Sequence, residues 1–93
     1  MHSHIIWRST RAKVLGRRGE FEAALELAND AVAIASEGDF LPAHAGATED
    51  LAKVLYMAGR RHEATAALAE AIRLYERKGN MLAAERARAF LQP

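Results

Sequence analysis

The sequence predicts an all-α protein of about five short antiparallel helices. Three observations support this fold class. Alanine, the residue with the best helix propensity, supplies 21 of the 93 residues. No proline occurs between Pro42 and Pro93. The chain also repeats itself at a shift of 40 residues, and a fixed period of about 20–50 residues is typical of an array of supersecondary units.

The internal repeat is the strongest signal of how the chain is organised. When residues 10–37 are aligned with residues 50–77, seven positions are identical. The identical pairs are Ala12/Ala52, Lys13/Lys53, Val14/Val54, Leu15/Leu55, Gly19/Gly59, Ala24/Ala64 and Ala31/Ala71. An array of this kind usually presents a surface that holds another molecule. The sequence therefore indicates the architecture of the chain, but it does not indicate which partner is held.

Four glycine-containing turns divide the chain into predicted helices. In Gly38-Asp39 and Gly79-Asn80, we expect a glycine that ends one helix in the left-handed conformation, followed by a residue that caps the next. Gly19 and Gly59 mark the other turns. We place helices at about residues 4–17, 20–37, 40–58, 61–77 and 80–91. They form a single domain, 1–93, with repeat one at about 4–37, repeat two at about 40–77 and a half repeat at about 80–91.

Apolar residues recur at helical spacing in these segments. The stripe on the second helix is Phe21, Leu25, Ala28, Val32 and Ala35. The stripe on the fourth is Ala64, Leu68, Ala71, Ile72 and Tyr75. Each stripe must be buried against a neighbouring helix, and short loops make consecutive helices antiparallel.

The repeated residues resemble the tetratricopeptide repeat, a helix pair with small residues where its two helices cross. The matching residues are Ala12, Gly19, Phe21, Ala24, Ala28 and Ala31 in repeat one, and Ala52, Gly59, Ala64, Leu68 and Ala71 in repeat two. Two departures are Arg61, which stands where an aromatic residue is typical, and the period of 40 in place of about 34. The resemblance implies a right-handed superhelix of two and a half helix pairs and a non-catalytic role in protein–protein interaction.

The longer repeats and the closing segment 73–89 also look like the C-terminal repeats of large multidomain bacterial regulators of transcription and signalling. This resemblance implies that the chain is part of a bacterial regulatory protein. HEAT-type repeats share a period near 40 residues, but the spacing of Gly19 to Ala24 and of Gly59 to Ala64 argues against them.

The tetratricopeptide resemblance implies a concave groove lined by the first helix of each pair. The expected groove residues are Ser9, Lys13, Glu49, Lys53, Tyr56 and Arg86, with Gly16 and Ala89 beside them. Lys13, Lys53 and Arg86 indicate an acidic or acidic-amphipathic protein or peptide partner.

Family members that bind chaperones hold a peptide C-terminus in a clamp of lysine, asparagine and arginine side chains. At the matching positions this chain has Ser9 for a lysine, Lys13 and Asp50 for asparagines, and Phe90 for an arginine. We therefore expect no tight binding of acidic chaperone tails.

Both ends of the array carry apolar residues that no further helix of the chain covers. The expected self-association residues are Ile5, Ile6, Trp7, Leu82, Phe90 and Leu91. For Trp7 the tetratricopeptide resemblance implies first a core role, in which it packs the first helix against its neighbour, and an exposed edge is the alternative. Because terminal repeats need polar caps to stay soluble, we expect a two-fold homodimer through one terminal face.

The residue inventory favours neither catalysis nor a cofactor. The chain has no cysteine, which excludes disulfides and thiolate chemistry. His44 and His62 have no second ligand at helical spacing, and His2 and His4 lie near the start, so we expect surface histidines and no metal site. Glu22, Glu26 and Asp30 follow one another at four-residue steps and are expected to form a solvated face.

The net charge is +1, but the charges are segregated along the chain. Residues 1–18 hold five Lys/Arg and no acid, and residues 19–50 hold eight Asp/Glu and no Lys/Arg. This pattern favours the packing of oppositely charged helices, with the steering of a charged partner as the alternative. A pI of about 8.2 is too modest for the basic footprint of a nucleic-acid binder. No apolar run is long enough to span a membrane and no signal peptide is recognisable, so we expect a cytoplasmic protein.

Overall fold

The computed structural model describes residues 2–38 and 41–91 and contains five α-helices. They are α1 (His2–Arg17), α2 (Phe21–Glu37), α3 (Leu41–Met57), α4 (Arg61–Lys78) and α5 (Met81–Leu91). No strand occurs in either described range. The all-α helical-repeat prediction is confirmed, and the helices begin and end within two residues of the predicted positions.

The helices form two layers. α3 lies at the centre, where it packs on α1, α2 and α4, while α1 packs on α2 and α4 packs on α5. Side chains of α5 also reach α3, through the pairs Tyr56–Phe90 and Glu49–Arg86. The first helices of the pairs (α1, α3, α5) thus share one layer, and the second helices (α2, α4) share the other. The Cα atoms span 35 × 34 × 16 Å, which fits a slab two helices thick.

The turns after α1 and α3 have the same construction. Gly19 and Gly59 adopt left-handed φ values of +82° and +80°. The backbone N–H of the following residue donates to a carbonyl five residues back, from Glu20 to Leu15 at 3.0 Å and from Arg60 to Leu55 at 2.9 Å. These bonds satisfy carbonyl groups that the helix end would leave unpaired, so the repeated glycines have a common structural cause.

The other two predicted turns had different outcomes. Gly79 is left-handed and the Asn80 Oδ1 accepts a hydrogen bond from the Ala83 backbone N–H at 3.1 Å, as expected for a cap of α5. Gly38 is extended, with φ −97° and ψ 169°, so the expectation of a left-handed glycine there is wrong. A helix can also end through an extended residue, which requires no glycine. The expected cap, Asp39, lies outside the described residues.

Small side chains fill most of the core. Every alanine shared by the two repeats is buried, as are Val54 and Leu55. The buried repeat alanines are Ala12, Ala24, Ala31, Ala52, Ala64 and Ala71. Such residues let helices approach closely. Gly16 is an example at the α1–α3 contact, because a Cβ atom added there would lie only 2.9 Å from the Met57 Sδ. The repeat in the sequence therefore reflects a repeated helix crossing.

The predicted apolar stripes are largely confirmed. All five residues predicted for α4 are buried, with Leu74 in addition, while in α2 Phe21 and Val32 are only partly covered. The core role expected for Trp7 is wrong, because its side chain is 56% exposed. α1 turns Ile5 and Ala12 inward, and at 100° per residue Trp7 points to the opposite side of the helix.

Candidate functional site

The candidate site is the surface shared by α1, α3 and α5, which we call the inner face. It is centred on α3, and its charged and aromatic side chains come from three helices plus the start of α4. The residues of the inner face are Lys13, Glu49, Asp50, Lys53, Tyr56, Arg61, Arg86 and Phe90.

Glu49 occupies the floor of the inner face. Its side chain is only 7% exposed, and its Oε1 accepts hydrogen bonds from the Tyr75 Oη at 2.6 Å and from the Arg86 Nη2 at 3.1 Å. Burial and the hydrogen bond to Glu49 raise the pKa of Tyr75 above its ordinary value of 10.0, so the phenol stays a neutral donor. The Glu49 carboxylate likewise raises the pKa of Arg86. Glu49 joins α3 to α4 and α5, and its carboxylate is occupied within the chain.

Lys13 and Asp50 link α1 to α3 beside Glu49. The Lys13 Nζ lies 3.1 Å from the Asp50 Oδ1, and both side chains are partly exposed. A pair of this kind contributes about 0–1 kcal/mol. The Lys13 charge is therefore largely balanced by its neighbour.

An aromatic pair forms the exposed part of the inner face. The rings of Tyr56 and Phe90 meet edge to face, with centroids 6.2 Å apart and planes at 89°. The Arg61 guanidinium carbon lies 5.4 Å from the Tyr56 ring centroid, within the range of a cation–π contact. Tyr56 is 51% and Phe90 53% exposed, so a partner could cover a large apolar area at this point.

Positive charge predominates around the aromatic pair. Lys53 lies one helical turn from Tyr56, and no acidic side chain in the described part of the chain forms an ion pair with it. Arg86 stays largely exposed although it contacts Glu49. The inner face carries four cationic side chains against two carboxylates, so its local charge is positive.

The expected groove residues differ in how exposed their side chains are to solvent. Tyr56 and Arg86 are exposed, and Lys13 and Lys53 are partly exposed. Ser9 is buried, and its Oγ has no hydrogen-bond partner in the described structure. Together with Glu49 it is corrected from a groove-lining residue to a buried one, because both project into the contacts between helices.

Three residues of the inner face are not among the expected groove residues: Asp50, Arg61 and Phe90. Asp50 entered the sequence analysis only as a substitution at a position of the chaperone clamp. Phe90 entered it in the same way and was also assigned to a terminal association surface, but the structure places it against Tyr56. It lies one helical turn after Arg86, so its spacing from that expected groove residue was the available signal. Arg61 appeared only as a departure from the repeat pattern, and its contact with Tyr56 gives that departure a physical role.

The remaining expected association residues lie at the two ends of the molecule. Ile5 is buried with Ala31, Ala35 and Ala47, so it is corrected from an exposed residue to a core residue. Ile6 and Trp7 on α1 are exposed, and Leu82 on α5 is 84% exposed. The side chain of Leu91 lies outside the described residues.

The described residues contain no group of three His, Cys, Asp or Glu side chains that could hold a metal ion. His62 is exposed and His44 partly so, while the side chains of His2 and His4 lie outside the described residues. The acidic residues Glu22, Glu26 and Asp30 are exposed, as expected for a solvated face of α2. Within the described ranges, no helix combines the length and apolar character needed to cross a membrane.

The profile of the tetratricopeptide repeat family matches residues 3–77. The chain belongs to this family. Tetratricopeptide repeats generally mediate protein–protein interactions. The match covers α1 to α3 and nearly all of α4, and α5 follows it as a further helix that supplies Arg86 and Phe90 to the inner face. Neither the curated proteins nor the solved structures contain a significant match to this tetratricopeptide chain.

Proposed function

We propose that the chain is a non-catalytic interaction module that binds an acidic peptide or an acidic partner helix on its inner face. The observation that carries this proposal is the half-exposed pair of Tyr56 and Phe90 with Lys53, Arg61 and Arg86 around it. The resemblance to terminal repeats of multidomain regulators supports a role within a larger bacterial regulatory protein.

The composition of the inner face suits a binding site. Aromatic and arginine side chains carry much of the free energy of association at protein interfaces. The Tyr56 and Phe90 rings supply apolar area, and the cationic side chains supply electrostatic complementarity to an acidic segment. Glu49 holds the Arg86 guanidinium at 3.1 Å, which lowers the entropy that this side chain loses on binding.

The same geometry supports the expectation that acidic chaperone tails bind weakly. A terminal carboxylate held by Lys13 would have to compete with Asp50, whose carboxylate is already 3.1 Å from the Lys13 Nζ. The available cations lie towards α5, beside the aromatic pair. A segment with an apolar anchor and flanking acids fits this arrangement better than a bare C-terminus.

Calorimetry with two matched synthetic peptides tests the proposal. One peptide places phenylalanines among glutamates, and the other has lysines at the glutamate positions. We expect the glutamate peptide to bind at least about tenfold more tightly, a difference of about 1.4 kcal/mol, and Lys53→Gln or Tyr56→Ala to weaken it. Arg77→Gln, which removes a charge from the exposed surface of α4, should leave the affinity unchanged. Equal affinities for the two peptides, or indifference to both inner-face substitutions, would contradict the proposal.

Self-association through α5 is a second candidate function. Leu82 projects from α5 into solvent, on the same side as Glu85 and Ala89. A two-fold axis at the middle of α5 would cover Leu82 of both protomers. It would also bring Glu85 of one protomer near Arg86 of its partner, so the charges at such an interface would be complementary.

A further inference from the structure

α1 carries a second exposed surface, on the side opposite its buried residues, that the inner face does not use. We call it the α1 outer face. Its residues are Ile6, Trp7, Thr10, Arg11, Val14 and Arg17. Four of them, Trp7, Thr10, Arg11 and Val14, line a shallow depression. The opposite side of α1, with Ile5, Ala12 and Gly16, is buried against the rest of the chain.

The spacing of these residues suits contact with another helix. Trp7 and Val14 are two helical turns apart, with Thr10 and Arg11 between them, which gives the i, i+3, i+4, i+7 pattern of a helix-packing seam. A tryptophan that is 56% exposed leaves a large apolar area in water. Tryptophan and arginine are also the residues that dominate interface hot spots, so this surface has the composition of a docking site.

The charges around the seam determine which charges a helix bound there should carry. Residues 1–18 contain five Lys/Arg and no acidic residue. At 100° per residue, Arg11 and Arg17 lie on opposite sides of the line from Trp7 to Val14. A helix that packs on this seam would therefore meet cationic side chains on both flanks, and aspartate or glutamate at its own flanking positions would complement them.

A second copy of the chain fits this surface poorly. A two-fold contact between two α1 outer faces would bring Arg11 close to Arg11 of the partner protomer, which is repulsive. The acidic stripe of α2 offers the right charge, but the exposed residues beside Glu22, Glu26 and Asp30 are Ala23, Asn29 and Ala33. None of these has an apolar side chain large enough to cover Trp7.

We propose that the α1 outer face docks an amphipathic helix of a partner protein, with an apolar seam over Trp7 and Val14 and acidic residues opposite Arg11 and Arg17. The site is separate from the inner face and does not depend on the function proposed for it. The chain would thus hold an acidic helix at its edge in addition to any segment bound on the inner face.

The fluorescence of Trp7 tests this proposal directly, because Trp7 is the only tryptophan in the chain. The probe is a synthetic amphipathic helix with leucines along one side and glutamates on both flanks, and the matched control has lysines in place of the glutamates. We expect a saturable blue shift of the Trp7 emission with the glutamate helix and at least about tenfold weaker binding of the lysine helix. Arg11→Glu should reverse this preference. Arg77→Gln, a substitution on the exposed surface of α4 that belongs to neither proposed site, should leave the titration unchanged.

Three results would overturn the proposal. They are no emission change with the glutamate helix, equal binding of the two helices, and indifference to Arg11→Glu in a variant whose circular dichroism shows the native helix content. A blue shift that grows with the concentration of the chain alone would assign the α1 outer face to a second copy, and it would also overturn the proposal. Val14→Glu provides a second variant on the same seam, and it should abolish the binding of the glutamate helix.

Discussion

Glu49 lies on α3 with its carboxylate almost fully covered, and its hydrogen-bond donors come from α4 and α5. A buried carboxylate is costly to desolvate unless its oxygens are paired. Tyr75 and Arg86 provide that pairing, and burial together with the hydrogen bond to Glu49 raises the pKa of Tyr75. The free energy of unfolding should therefore depend on Glu49 more strongly than on the neighbouring Asp50, whose pair with Lys13 is partly exposed.

Replacement of Glu49 by alanine tests this dependence. The Tyr75 hydroxyl would remain buried without its acceptor, so we expect Glu49→Ala to lower the free energy of unfolding by about 1–3 kcal/mol. Asp50→Ala serves as the control and should cost about 0–1 kcal/mol. Urea denaturation of both variants gives the comparison. Equal losses in the two variants would show that Glu49 has no special structural role.

The position of an individual residue on the surface could be predicted where the register of the repeat alone determines it. Lys13, Lys53 and Tyr56 follow from that register, and their side chains are at least partly exposed, while their role in binding stays a prediction. The burial of Glu49 depends on partners 26 and 37 residues away in the chain. Helical spacing within α3 carries no information about such contacts, so the sequence could not distinguish an open groove residue from a buried one.

Among the helices and turns, the parts repeated in the sequence were the easiest to predict. Gly19 and Gly59 occupy equal positions in the two repeats and adopt nearly equal left-handed conformations. The turn after α2 corresponds to the turn after α4, but Gly38 adopts an extended conformation and Gly79 a left-handed one. A glycine permits the left-handed region without requiring it, so the same expectation failed at Gly38 and succeeded at Gly79.

Two glycine substitutions should have opposite effects on stability. At Gly59 an alanine would be forced into left-handed backbone, so Gly59→Ala should destabilise the chain by about 1–2 kcal/mol. Gly46 lies within α3, and a Cβ atom added there meets no atom within 4 Å. Gly46→Ala should therefore stabilise the chain by about 0.4–1 kcal/mol. Thermal unfolding measures both, and a change of the same sign in the two variants would contradict the turn geometry.

The order and direction of the helices follow from short turns and amphipathic stripes, so the architecture of the molecule was predictable from the sequence. The side of each terminal helix that stays open was harder to predict. α1 buries Ile5 and leaves Trp7 in solvent, although both residues are large and apolar. The choice depends on which side of α1 meets α2 and α3, and apolar composition alone does not specify that side.

The open side of α5 leads to a prediction about the oligomeric state. Covering one large apolar side chain contributes about 1.5–3 kcal/mol, and Leu82 is 84% exposed in the single chain. We expect sedimentation at about 100 μM, well above a dimer Kd of order 1 μM, to show a dimer that Leu82→Glu dissociates. Trp7→Ala should leave this dimer intact. A species of only 10.2 kDa at that concentration would contradict the prediction.

The most direct measurement is an NMR titration of the isotopically labelled chain with the phenylalanine–glutamate peptide, because it shows where an acidic partner binds. If the inner face is the binding surface, the largest chemical-shift changes should occur at Lys53, Tyr56, Arg86 and Phe90. The exposed surfaces of α2 and α4, represented by Glu26 and Arg77, should change little. Changes concentrated on α2 and α4, or no saturable change at the inner face at millimolar peptide, would contradict the proposed function.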